Sequence, residues 1–199
     1  MKKVFLAMII VTLSASMAFC ADDAYQYEVG NQVFSFQAGT TLPGFFWFFN
    51  DTSGSGFAGW TDTHLKVGGI GSLSYMYFVS PRIALGGSIG YSFNYALSGK
   101  LMTQIPLMAR ASWYAVTTPK FDLITSLSLG VTFNRYNESF YASPSAELEI
   151  QPVFYINENW GIGISGSLST SAEIYWKDKK DDSCIAGMIP IKLTCHYRH

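Results

Sequence analysis

The sequence predicts an all-β protein, an eight-stranded antiparallel transmembrane up-and-down β-barrel. Three observations lead there. Apolar and polar residues alternate with a period of two almost everywhere past residue 30, as in strands with two unlike faces. Tight turns recur about 40 residues apart, so the strands come as hairpins. Only 14% of the 199 residues are charged while 49% are hydrophobic, against about 25% charged in an average soluble domain. Such a chain lacks the groups that cover a water-facing surface. Yet past the N-terminus no segment reaches the ~18 uninterrupted apolar residues of a membrane-spanning helix. The length suits one domain. A formal net charge of −1 excludes the basic stripe that nucleic acid demands.

The N-terminus reads as an export signal. Lys2 and Lys3 precede "VFLAMIIVTL", too short to span a bilayer, and "SASMAFCA" places Ala18 and Cys20 at −3 and −1 of a cleavage site. Residues 1–20 are therefore expected to be a signal peptide and 21–199 an outer-membrane β-barrel domain. Loss of Lys2 and Lys3 takes the formal charge from −1 to −3. A lipidated Cys20 is the alternative, although Phe19 is bulky for that signal. Cys184 and Cys195 would be held roughly 35 Å apart by extended strand, whereas bridged Cα atoms sit at about 6 Å, so no disulfide is expected between them.

The first strand is expected over 31–42, with Phe34, Phe36, Ala38, Thr40 and Leu42 on one face and Pro43-Gly44 breaking it. Strands follow over 64–78, 83–95, 101–115, 121–136, 144–156, 160–176 and 185–199. In "FDLITSLSLGVTFNRY", Phe121, Leu123, Leu127, Leu129, Val131 and Phe133 oppose Asp122, Ser126, Ser128, Gly130, Thr132 and Asn134. "WGIGISGSLSTSAEIYW" and the terminal "IPIKLTCHYRH" are as regular. "SPR" (80–82), "TTPK" (117–120) and "NEN" (157–159) supply the Pro and Asn of tight turns. Connections at the other end, 43–63, 96–100, 137–143 and 177–184, are more varied.

Two closed barrels fit eight alternating strands: a soluble one with its apolar face inward, and a membrane one with that face outward. Side-chain size separates them. One face carries Leu, Ile, Phe, Trp and Tyr, the other Ser, Gly and Thr with a few charges. An eight-stranded barrel has room inside only for side chains to fill it, which suits the small polar face, and a water-facing "GIGISGSLS" would lack the Lys and Glu that keep proteins apart. Aromatics also mark both strand ends, as interfacial girdles do: Tyr75, Tyr77, Trp113, Phe121, Phe154, Trp160 and Tyr197 near the tight turns, and Tyr91, Phe93, Tyr95, Phe133, Tyr136, Tyr175 and Trp176 at the other end.

With its export signal, eight strands, short turns and alternating terminal strand, the chain resembles the small outer-membrane barrels of Gram-negative-type bacteria (the OmpX, OmpA-barrel and OmpW types). "LTCHYRH" resembles the terminal signal read by the outer-membrane insertion machinery, except that this chain ends in His199 rather than Phe. The resemblance implies a bacterial outer-membrane location, short turns in the periplasm and longer connections outside.

Alternation points Lys66, Arg110, Glu147, Glu149, Glu173 and Lys192 into the lumen, where a low dielectric would force them to pair. They are expected to form an ion-pair network plugging the barrel; a gated polar path is the alternative. "FFWFFN" places Phe45, Phe46, Trp47, Phe48 and Phe49 at the outer headgroup boundary, opening the longest connection, with Trp60 further along it. These rings read as an enlarged interface belt, as a hydrophobic mouth for small apolar molecules of the kind the OmpW resemblance implies, or as an adhesive surface patch. His64 near Asp62, Ser53 and Ser55 raises a lipid-modifying enzyme, although Ser and Asp are common in loops and His196 and His199 fall at the opposite end. "GGIG" (68–71) and "GGSIG" (86–90) lie within strands with no following helix to bind phosphate. The expected function is thus a non-enzymatic outer-membrane barrel with a plugged lumen and loops that meet the environment or host; catalytic residues, cofactors and metals are expected to be none. A conduit for small hydrophobic molecules is the runner-up. Expected partners are outer-membrane lipids, the insertion machinery and a host or environmental ligand, with no nucleic acid and the barrel a monomer.

Overall fold

In the computed structural model, residues 26–49, 56–60, 62–136, 139–174 and 183–199 are described; the expected signal peptide and Cys20 lie outside them. The strands are β1 (Gln32–Phe48), β2 (Phe57–Ala58), β3 (Gly68–Ser80), β4 (Ile83–Tyr95), β5 (Leu101–Thr117), β6 (Phe121–Tyr136), β7 (Ser139–Tyr155), β8 (Trp160–Glu173) and β9 (Cys184–Arg198). The eight long strands pair antiparallel in chain order, and β1 pairs with β9 to close the cylinder. The short β2 lies against the far end of β1, with Phe46 opposite Ala58. Closure gives each of the eight long strands two neighbours, so the barrel wall has no open edge.

The tight turns form where the sequence places them, and side chains hold them. Ser80 Oγ accepts the Ile83 N–H at 3.1 Å, and Thr118 Oγ1 accepts that of Phe121 at 2.9 Å. Asn157 Oδ1 accepts the N–H groups of Asn159 and Trp160 at 3.0 and 2.7 Å, an Asx-type turn. The chain end joins this rim: Gln32 and His199 exchange both backbone hydrogen bonds at 2.9 Å.

The faces sort as the alternation predicts. Leu127 is 50% and Ile162 52% exposed, while Ser126 and Ser165 are 1% and 0%. Near the tight turns Phe121 packs on Phe154 and Trp160 on Tyr197, with centroids 4.8 and 4.9 Å apart. At the other end Tyr91, Phe93 and Tyr95 form a ladder along β4. Tyr136 instead turns into the mouth of the barrel, and Tyr175 and Trp176 lie outside the described residues.

Close strand approach explains the lumen glycines. A Cβ at Gly39 would lie 2.1 Å from the Ile191 carbonyl oxygen, and one at Gly86 1.9 Å from that of Tyr75, so only glycine lets the wall curl this tightly. Prolines interrupt the ladder. Pairing lapses between Ile89↔Leu107 and Ser92↔Gln104, between Ile150↔Gly166 and Val153↔Gly163, and between Gly166↔Ile191 and Ser169↔Met188. Pro106, Pro152 and Pro190 fall in these gaps, each without an N–H to donate.

Two boundaries correct the sequence reading. Pro43-Gly44 does not end β1; a bulge between Pro43 and Phe45 absorbs one residue and the strand continues along β9 to Phe48, opposite Cys184. "FFWFFN" is therefore mostly strand. At the start of β3 the pair Leu65↔Ala96 is offset by one from Gly69↔Phe93. That offset breaks the alternation ahead of Gly68. Lys66 is consequently exposed beside Tyr95, whose carbonyl accepts its N–H at 2.7 Å, rather than lying in the lumen.

Candidate functional site

The lumen is filled in layers. At mid-height Arg110 from β5, Glu147 and Glu149 from β7 and Lys192 from β9 converge. Lys192 Nζ donates to Glu147 Oε1 at 2.9 Å and lies 3.1 Å from Glu149 Oε1, while Arg110 Nη2 pairs with Glu149 Oε2. Gln37 of β1 donates to Glu149 at 2.8 Å and accepts from Ser72 of β3 at 2.9 Å. Arg110 also donates to Ser126 of β6 at 3.0 Å. Glu149 is 1%, Lys192 2% and Arg110 6% exposed. Charges this deeply buried persist because each has an opposite charge and further hydrogen bonds. Of the six charged residues expected here, four meet; Lys66 is outside the lumen, and Glu173 of β8 lies higher, where it accepts the Tyr141 hydroxyl. Below the network Gln151 Nε2 donates to Thr194 Oγ1 and His196 Nε2 at 2.8 and 2.7 Å. Above it Gln104 donates to Asn134, and Asn134 to Ser143, at 2.9 and 2.7 Å.

The end that carries the tight turns is closed by a residue outside the expected strands. Tyr27, five residues before β1, folds into the barrel and is 2% exposed. Its ring stacks on Phe78 at 4.2 Å and 9°, with Tyr114 tilted against both. Its hydroxyl donates to Asp122 Oδ2 at 2.5 Å and lies 3.0 Å from that of Tyr155. Burial, reinforced by the Asp122 charge, pushes the Tyr27 hydroxyl well above the usual tyrosine range, so it remains a donor. Arg198 lies 3.6 Å from the Tyr155 ring centroid and donates to the carbonyls of Glu158 and Pro119 at 2.6 and 3.0 Å. A tyrosine ahead of the first strand carries no periodic signal; only its partners mark it.

The opposite mouth holds a cavity of about 320 Å³, lined by Phe46, Thr63, His64, Leu65, Ala96, Met102, Tyr136, Ser139, Tyr141 and Glu173. Continuation of β1 splits the aromatic run. Phe46 lines this cavity, whereas Trp47 is 53% exposed on the outside. Phe45 covers Gly187, where a Cβ would come within 2.3 Å of its ring, and stacks on Phe57 at 5.8 Å. Phe48, Phe49 and Trp60 are exposed. The five rings thus do not share one face. His64 has φ of 55°, a left-handed backbone, and its Nδ1 lies 2.7 Å from the Asp62 carbonyl oxygen. This contact is to the Asp62 backbone, and Ser53 and Ser55 lie outside the described residues. Among the described residues no three His, Cys, Asp or Glu are grouped to hold a metal ion.

A model of an uncharacterised protein family matches residues 17–197. No curated protein matches by sequence. Among solved structures, Neisserial surface protein A is similar with 11% identity and a TM-score of 0.56, over 84% of this chain and 96% of that one. The outer-membrane protein OprG of Pseudomonas aeruginosa is 10% identical with a TM-score of 0.52, over 89% and 99%. Ail, the attachment invasion locus protein of Yersinia pestis, in complex with the heparin analogue sucrose octasulfate, is 13% identical with a TM-score of 0.50, over 87% and 100%. At such identities the likeness is one of fold: this chain has the fold of the small outer-membrane barrels.

Proposed function

We propose, for a chain that belongs to the uncharacterised family matching residues 17–197, the role of an integral bacterial outer-membrane barrel that is sealed, non-enzymatic and works through its outer end. Export would use the N-terminal signal peptide, and insertion would use the terminal β-strand. The observation that carries the sealed reading is the double closure of the lumen: the Arg110–Glu149–Lys192–Glu147 network at mid-height and the Tyr27 stopper below it. A solute entering at the mouth meets both. What remains accessible is the outer end, where the mouth cavity and the exposed rings face the surroundings of the cell.

The mouth cavity also favours a second reading, a conduit for small hydrophobic molecules, because Phe46, Leu65, Ala96 and Met102 line it. Planar-bilayer recording and uptake of a small aromatic hydrocarbon into proteoliposomes separate the two. The sealed barrel gives neither conductance steps nor uptake above protein-free vesicles. Uptake that disappears on Phe46→Ser would replace it with the conduit.

A further inference from the structure

We propose that the mouth cavity binds a small organic cation, an ammonium group on a compact apolar body. The inference deepens the reading of the outer end as the working surface and rests on it. Three features of the cavity select this chemistry. Its walls carry the aromatic rings of Phe46, Tyr136 and Tyr141, whose faces attract cations. Glu173 adds a carboxylate to the same lining, oriented by the Tyr141 hydroxyl. The Asp62 carbonyl engages Nδ1 of His64, so that in the neutral ring Nδ1 carries the proton and Nε2 is left as an acceptor. Among the described residues that line it there is no Lys or Arg. At about 320 Å³ the cavity falls at the small end of ligand pockets, about 300–1,000 Å³.

A cation of the protein itself already uses one of these ring faces. Lys100 Nζ lies 6.0 Å from the Tyr136 centroid. It acts as a weak internal competitor, which makes its removal informative. His64 belongs to the cavity lining and has a left-handed backbone.

The test is titration of the processed full-length barrel, folded in an uncharged maltoside detergent, with choline and with its neutral isostere 3,3-dimethylbutan-1-ol. Saturable binding of choline is expected, with the neutral alcohol at least roughly tenfold weaker. Glu173→Gln weakens choline binding roughly tenfold, and Lys100→Met strengthens it. Equal binding of both probes, absence of saturable choline binding, or indifference to Glu173→Gln overturns the proposal. Heat-modifiable gel migration and membrane fractionation are run on the same samples. They fail if the outer-membrane reading is wrong, and they remain intact if only this site is wrong.

Discussion

Glu149 is held by Arg110 and Lys192 together, with Gln37 donating to the same carboxylate. Removing it takes from buried Arg110 the carboxylate it pairs with, and leaves Lys192 with Glu147 alone. Glu149→Ala should therefore destabilise the barrel by about 3–5 kcal/mol, measured by denaturant unfolding in micelles, whereas joint replacement of Arg110, Glu147, Glu149 and Lys192 by Met, Leu, Leu and Met should cost far less. A residue-scale prediction of a different kind concerns glycine. Gly39→Ala drives a methyl group into the Ile191 carbonyl, while Gly166→Ala meets nothing within 4 Å. The first should sharply reduce the yield of folded, heat-modifiable protein and the second should leave it unchanged. These residues differ in legibility. Parity alone points Arg110, Glu147, Glu149 and Lys192 inward. Parity misplaces Lys66, because an offset of one residue between Leu65↔Ala96 and Gly69↔Phe93 is invisible in composition.

β1 shows what an element can conceal. Its alternation from Val33 to Thr41 is plain, and Pro43-Gly44 carries every sign of a strand end. The bulge there is decided by pairing with β9, a contact between residues remote in sequence. It carries the aromatic run onward as strand and separates Phe46 from Trp47. Phe45 reaches about 33 Å above Gln32 at about 3.3 Å per residue and a tilt near 40°, beyond an apolar band of about 25 Å. The segment before β1 acts as an element too, although it has no regular structure. Tyr27→Ala should cost about 3–5 kcal/mol in the same unfolding assay through loss of its ring packing, and Tyr27→Phe about 1–3 kcal/mol through loss of the donor to buried Asp122. Equal stability of all three proteins would mean that Tyr27 does not dock in solution.

At the scale of the whole molecule, one inversion organises everything: large apolar side chains outside, small polar and charged ones within. The sequence carries that inversion openly, because a narrow barrel accepts only small side chains inside and lipid accepts only apolar ones outside. It does not carry the seal, since the Tyr27 stopper and the mid-lumen network depend on which side chains meet after closure. The most direct measurement is labelling of the unmodified barrel in lipid vesicles with a photoactivated carbene reagent dissolved in the acyl chains, read by mass spectrometry. Modification is predicted at Leu127 and Ile162, with Ser126 and Ser165 untouched; label on the two serines with both apolar residues shielded would contradict a lipid-facing apolar wall.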